Sequence, residues 1–261
     1  MNYQSKTINL FREQKTNWPL LAANAEGLKN VRLKTFAYNG FHVNVQFNPK
    51  RITSSAAKVD KASIEARKCF LCAANRPDKQ RSVAFENEYE ILCNPFPIFP
   101  EHYTIAHNKH IPQEIKHSFA DMLALSKALP NLVIFYNAPN CGASAPDHLH
   151  FQAGNTGFLP IEEEFDALKS KYGKTLINNT ALLVTAINDG IRKMIVLEAN
   201  DKEFLIKAFK PCYEFTSQLV QHEEPMLNIL SWYNMGWRVI IFPREKHRPW
   251  QYFEEGEKNI L

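Results

Sequence analysis

The sequence predicts an α+β fold, a mainly antiparallel sheet with flanking helices. Turn signals at Asn39-Gly40, Asn188-Asp189-Gly190 and Asn234-Met235-Gly236 sit between short segments of strand-like composition; such turns close hairpins between antiparallel strands. Three other stretches carry apolar residues at helical spacing. With 261 residues, 12% of them aromatic and 22% charged, the chain has ample core for one large domain or two intertwined halves.

The elements follow in order. Residues 2–28 read as a polar helix anchored by Leu20, Leu21 and Leu28, without visible chemistry. Residues 31–47 form the first hairpin, which exits into Asn48-Pro49-Lys50-Arg51. The fork of Arg51 matches two phosphate oxygens, or else it is a solvated arginine at a strand end. Residues 53–66 are Lys- and Ser-rich, a loop over a site or a disordered stretch. Cys69-Phe70-Leu71-Cys72 reads as half a zinc site, a redox pair or two buried thiols; the thioredoxin-like context a redox pair expects is missing. Strands at 89–93 and 103–106 flank a Pro-rich link that cannot be helical. Residues 111–129 read as an amphipathic helix, with Ile115, Phe119, Met122, Leu123 and Leu125 on its apolar face. The apolar strand 132–136 follows.

Residues 137–145 are small, polar and turn-forming, so backbone N–H groups and the Ser144 hydroxyl can approach an anion. The next segment places His148, His150 and Gln152 at alternating positions, which share one face of an extended strand. A neutral imidazole attacks phosphorus well at neutral pH, and a phospho-histidine link turns over. Gln152 donates a hydrogen bond but delivers no proton, so the leaving group departs without acid help. That favours nucleotidyl transfer or phosphorolysis over hydrolysis. The plainer reading of a His-x-His pair is packing or surface.

Beyond this stretch, 161–171 is a helix with an acidic first turn, as its dipole prefers. Strands at 181–186 and 193–198 precede a helix at 202–218, and 226–233 pairs with 237–242. Arg244, Lys246 and Arg248 then form either a far phosphate site or a solvated basic turn.

His148-Leu149-His150-Phe151-Gln152, after the Asn137 to Ser144 loop, resembles the histidine-triad-like transferase superfamily. That group includes galactose-1-phosphate uridylyltransferase, diadenosine tetraphosphate phosphorylase and GDP-L-galactose phosphorylase. Asp147 stands where the first two have Pro, which here lies at Pro146. The resemblance implies two tandem histidine-triad-like halves, 1–158 with the nucleophile and 159–261 without one, sharing one site. It implies His150 as the nucleophile and Gln152 as the group holding the transferred phosphate, with His148 beside them. It also implies a structural zinc on Cys69, Cys72, His110 and His148, and no organic cofactor. Phe96 and Phe99 become candidates to flank a base, and His102 to orient a loop. Phosphate-binding candidates are Arg51, Asn137, Gly142, Ser144, Arg244, Lys246 and Arg248. The related families continue past the position of Leu261, so this member is short or truncated.

The expected activity is a nucleotidyltransferase or phosphorylase acting on a nucleotide sugar or dinucleoside polyphosphate, with a phosphate acceptor. The alternatives are an inactive nucleotide sensor or a hydrolase. A net charge of +4 suits a small anionic substrate and is too weak for a nucleic-acid partner. Five cysteines, two in a close pair, speak for a reducing, cytoplasmic setting. Residues 1–21 do not make a signal peptide, and no run approaches the roughly 20 apolar residues of a membrane span. A homodimer is compatible with the resemblance.

Overall fold

The computed structural model describes residues 2–38, 40–49, 60–219, 224–248, 250 and 254. The chain opens with helices α1 (Tyr3–Asn17) and α2 (Pro19–Gly27). The Asn2 side chain caps α1 by accepting from the Ser5 N–H at 3.0 Å, and Pro19 starts α2 at the first turn, where its missing N–H costs nothing. The hairpin β1 (Arg32–Tyr38) and β2 (Phe41–Phe47) stands apart from the main sheet. A short helix α3 (Lys61–Ala66) precedes the Cys-x-x-Cys turn.

The main sheet has ten strands. The first five are β3 (Ser82–Phe85), β4 (Tyr89–Cys93), β5 (His102–His107), β6 (Leu132–Asn137) and β7 (His150–Asn155). The second five are β8 (Gly173–Asn178), β9 (Leu183–Asn188), β10 (Lys193–Ala199), β11 (Leu227–Tyr233) and β12 (Trp237–Pro243). Helices α4 (Phe119–Ala128), α5 (Pro160–Tyr172) and α6 (Lys202–Leu219) complete the fold.

The spatial order is β3-β4-β5-β7-β6-β11-β12-β10-β9-β8, with every pair antiparallel. Each set of five repeats one plan, in which the third strand pairs with the fifth and the fourth lies beyond it. The two sets join where β6 meets β11, from Asn137↔Asn228 to Ile134↔Ser231.

Alternation along the strands gives the sheet two unlike faces. On one, Ile105, Phe151, Ile134, Ile229, Val239 and Leu197 join a continuous core under α1, α4 and α6. On the other, the second five strands are covered by α5, whose Ile161, Phe165 and Leu168 pack on Met194, Val196 and Ile240. The Arg238 guanidinium lies 3.9 Å from the centroid of the Phe165 ring and is held by Glu198. Among the described residues no helix is packed in the same way on the first five strands; the Cys-x-x-Cys turn covers part of that face, where Cys69 and Leu71 cluster with Leu92 and Ala106, and beside it a cavity remains.

The sequence reading missed β3 and β8, both edge strands. All six residues of β8 are exposed, so no burial alternation marks it. The helix expected over 111–129 begins only at Phe119. Upstream, the Leu149 N–H donates to Ile111 O at 2.7 Å and the Gln113 N–H to Pro146 O at 3.3 Å, which draws 111–113 alongside the chain leading into β7.

Candidate active site and metal centre

The open part of the sheet holds a cavity of about 350 Å³. His150 and Gln152, adjacent on one face of β7, lie at its base with Thr104 and Ser144; Trp18, Leu20, Phe70, Leu71, Pro77 and Phe96 give it apolar walls. His150 is 3% exposed. Its Nδ1 lies 2.8 Å from the His148 carbonyl, so Nδ1 carries the proton and donates it there. Nε2 keeps a lone pair. Burial pushes the imidazole pKa down to about 4, so the ring is neutral at physiological pH.

Gln152 is oriented from the opposite side. The Ile98 N–H donates to His102 Nδ1 at 3.2 Å, which leaves the proton on Nε2, 3.0 Å from Gln152 Oε1. The carboxamide oxygen is thereby occupied, and its NH2 group is the end left for a ligand. Cys141, on the adjoining loop, is no rival nucleophile, because burial pushes its thiol pKa up to about 11.

Next to His150 lies a four-residue cluster. The donor atoms of Cys69, Cys72, His110 and His148 all fall within 4.8 Å of one another. His148 Nδ1 is 3.3 Å from Cys69 Sγ, 3.5 Å from Cys72 Sγ and 3.3 Å from His110 Nδ1, and Cys72 Sγ is 3.3 Å from His110 Nδ1. Ligand distances to tetrahedral zinc imply edges of roughly 3.3 to 3.8 Å. The four residues therefore fit a zinc ion. Their surroundings fit too: His148 Nε2 donates to the His107 carbonyl at 2.8 Å, and His110 Nε2 lies 3.6 Å from Asp147. Asp147 is also paired with Arg67 at 3.0 Å, and Arg67 donates to Ser144 O at 3.3 Å.

The loop between β6 and β7 lies against the second five strands. Asn228, on β11, donates to Asn137 Oδ1 at 2.6 Å and to Cys141 O at 2.9 Å, and it accepts from Arg244 at 2.7 Å. Gly142 has φ +98°, a conformation that favours glycine, and a side chain there would approach Arg248 NH1 at 4.0 Å.

A family described as "Domain of unknown function (DUF4922)" matches residues 10–155, more than half of the chain. The chain belongs to the DUF4922 family. Its curated relatives include galactose-1-phosphate uridylyltransferases. The one from Staphylococcus saprophyticus is 30% identical over 137 residues, covering 44% of this chain and 27% of the relative. The one from Halalkalibacterium halodurans is 26% identical over 163 residues, covering 56% and 31%. The DUF4922 chain thus spans only about a quarter to a third of the length of these relatives. Among solved structures, yeast Ap4A phosphorylase Apa2 in complex with Ap4A aligns with TM-score 0.55 at 17% identity, over 91% of this chain and 81% of that one. Its complex with AMP gives 0.54 at 16%, over 90% and 79%. The fold is histidine-triad-like, as the motif implied.

Within the DUF4922 match lie His150, Gln152 and the whole cysteine–histidine cluster. Asn228, Arg244 and Arg248 lie outside it. Of the remaining phosphate candidates, Lys246 is exposed, with its carbonyl 3.4 Å from Arg244 NH2, and Arg51 lies outside the described residues. Phe99 does not line the cavity. Its ring packs on Phe135, Phe158 and His102 and against Gly154. Sequence reasoning passed over Trp18 and read Leu20 as a helix anchor, whereas Leu20 is exposed and both wall the cavity; nothing in a polar N-terminal helix announces that role. Gln113 and Asn228 were missed as well. Each is a lone carboxamide whose partners come from distant parts of the chain, brought together only by the fold.

Proposed function

We propose that this protein is a nucleotidyltransferase or phosphorylase working through a nucleotidyl-histidine intermediate at His150. One observation carries the reading: a buried imidazole whose Nδ1 is committed to the His148 carbonyl and which, with Gln152, is among the residues that line a cavity. The names of the uridylyltransferase relatives and of the Ap4A phosphorylase structures agree with that class.

In the proposed first step His150 Nε2 attacks the α-phosphorus of a nucleoside diphosphate sugar or dinucleoside polyphosphate. A P–N bond forms as the P–O bond to the departing sugar phosphate or nucleotide breaks, and that electron pair leaves with the phosphate oxygen. The imidazolium formed keeps its Nδ1–H on the His148 carbonyl. The Gln152 NH2 group and the Ser144 hydroxyl stabilise the non-bridging oxygens. In the second step an oxygen of the phosphate acceptor attacks phosphorus, the P–N bond breaks and His150 returns to its neutral form.

The apolar chamber of Trp18, Leu20, Phe70 and Phe96 takes the nucleoside, since aromatic faces and low polarity suit a base. Arg244 and Arg248 serve the departing or incoming phosphate. Cys69, Cys72, His110 and His148 hold zinc, which supplies a structural tie between the Cys-x-x-Cys turn and the residue whose carbonyl seats His150. On this reading 1–158 is the half with the nucleophile and 159–261 the half that lends its basic end.

The test is a screen of nucleotide sugars and dinucleoside polyphosphates with and without phosphate acceptors. Turnover is expected only with an acceptor, and it drops by at least about 10³-fold in His150→Asn, whose fold survives. Wild-type turnover in that folded variant would refute the mechanism. Tight nucleotide binding with no turnover in the wild type would make the chain a sensor.

A further inference from the structure

We propose that Gln113 positions the nucleophile by replacing a missing rung of the sheet. This rests on the reading of His150 as the attacking residue. The β6–β7 ladder runs from Leu132↔Asn155 to Phe135↔Gln152, and in the same register Asn137 would face His150. That rung is not made directly. The side chain of Gln113, with no exposed surface, lies between the two strands. Its Oε1 accepts from the His150 N–H at 2.7 Å, while its Nε2 donates to the His150 carbonyl at 2.9 Å and to the Asn137 carbonyl at 3.0 Å.

The wedge has two effects. It satisfies both backbone groups of His150 where the neighbouring strand has moved away, and a buried unpaired backbone group is costly. It also holds β6 and β7 apart where the loop of residues 138–149 leaves the sheet, so the loop has room to approach a phosphate. Gln113 is itself held, since its carbonyl accepts from the Tyr136 hydroxyl at 2.9 Å and its N–H donates to Pro146 O. No contact between Gln113 and a substrate is needed. Its role is to fix where the His150 ring stands, and near-attack geometry is steep enough that a shift of about 1 Å costs roughly 10²-fold in rate.

The experiment compares Gln113→Met, which keeps length and volume without hydrogen bonds, with the milder Gln113→Asn. Single-turnover nucleotidylation of the full chain should fall about 10²-fold in Gln113→Met and less in Gln113→Asn, while nucleotide Kd changes by less than about 3-fold. Hydrogen exchange of the His150 amide should lose protection while Phe151 and Ala153 keep theirs. A labelling rate within about 2-fold of wild type, or undisturbed protection at His150, would overturn the proposal. If Gln113→Met does not fold, Gln113→Asn alone decides by the same criteria. If the wild type forms no adduct at all, the reading of His150 fails, and the exchange measurement still decides whether Gln113 makes the rung.

Discussion

His150, Gln152 and Gly154 show how far single residues could be read in advance. The alternation of His150 and Gln152 was legible because a strand has period two, and both line the cavity, whereas His148, expected on the same face, lies before β7 and joins the cysteine–histidine cluster. The orientation of each group was not legible. It depends on the His148 carbonyl for one and on His102 for the other, and the second of these partners is brought in by strand pairing. Gly154 gave no signal, yet a Cβ there would lie 2.3 Å from the Phe99 ring, which is itself walled in by Phe135 and Phe158. Gly154→Ala is therefore expected to destabilise the protein by about 1–3 kcal/mol, read by denaturant unfolding. Unchanged stability would mean that Phe99 moves freely.

Among the elements, the two segments that lie near the start of β7 compare differently with their expected placement. Residues 111–118 have apolar spacing that suits a helix, but Pro112 and the hydrogen bonds to Pro146 and Leu149 hold their start extended. That departure is what lets Gln113 reach β7. The Cys-x-x-Cys turn, by contrast, lies where the resemblance placed it, against His110 and His148. Elemental analysis of the purified protein should find about one zinc per chain. Cys72→Ser should lose the metal and cost on the order of 3 kcal/mol or more of stability. Metal-free wild type that is indifferent to chelators would remove zinc from the account.

For the whole molecule, hairpin signals predicted the antiparallel sheet, but the repetition of one five-strand plan was not visible in the residues themselves. The two halves share no motif, because the face that carries His150 in one is filled by α5 in the other. The two five-strand sets are tied through Glu224, which is 5% exposed. It accepts from the Ile115 N–H, the Tyr136 hydroxyl on β6 and the Tyr213 hydroxyl on α6. Burial raises its pKa, with those three hydrogen bonds acting against the shift. The folded state thus binds a proton more readily than the unfolded one. The stability contribution is fully present below the ordinary carboxylate pKa and is lost as pH rises through the raised value. Glu224→Gln, which cannot ionise, should therefore gain Tm relative to wild type as pH rises from the ordinary carboxylate pKa through the raised one. A constant difference over that range would show that Glu224 ionises normally. Among the described residues no helix is long and apolar enough to cross a membrane.

The most direct measurement is intact-protein mass spectrometry after brief incubation with a nucleotide sugar or dinucleoside polyphosphate and no acceptor. A mass increase of one nucleoside monophosphate is expected, acid-labile and base-stable, located on His150 and discharged by phosphate. An adduct that forms equally well in His150→Asn, or turnover that never passes through one, would contradict it.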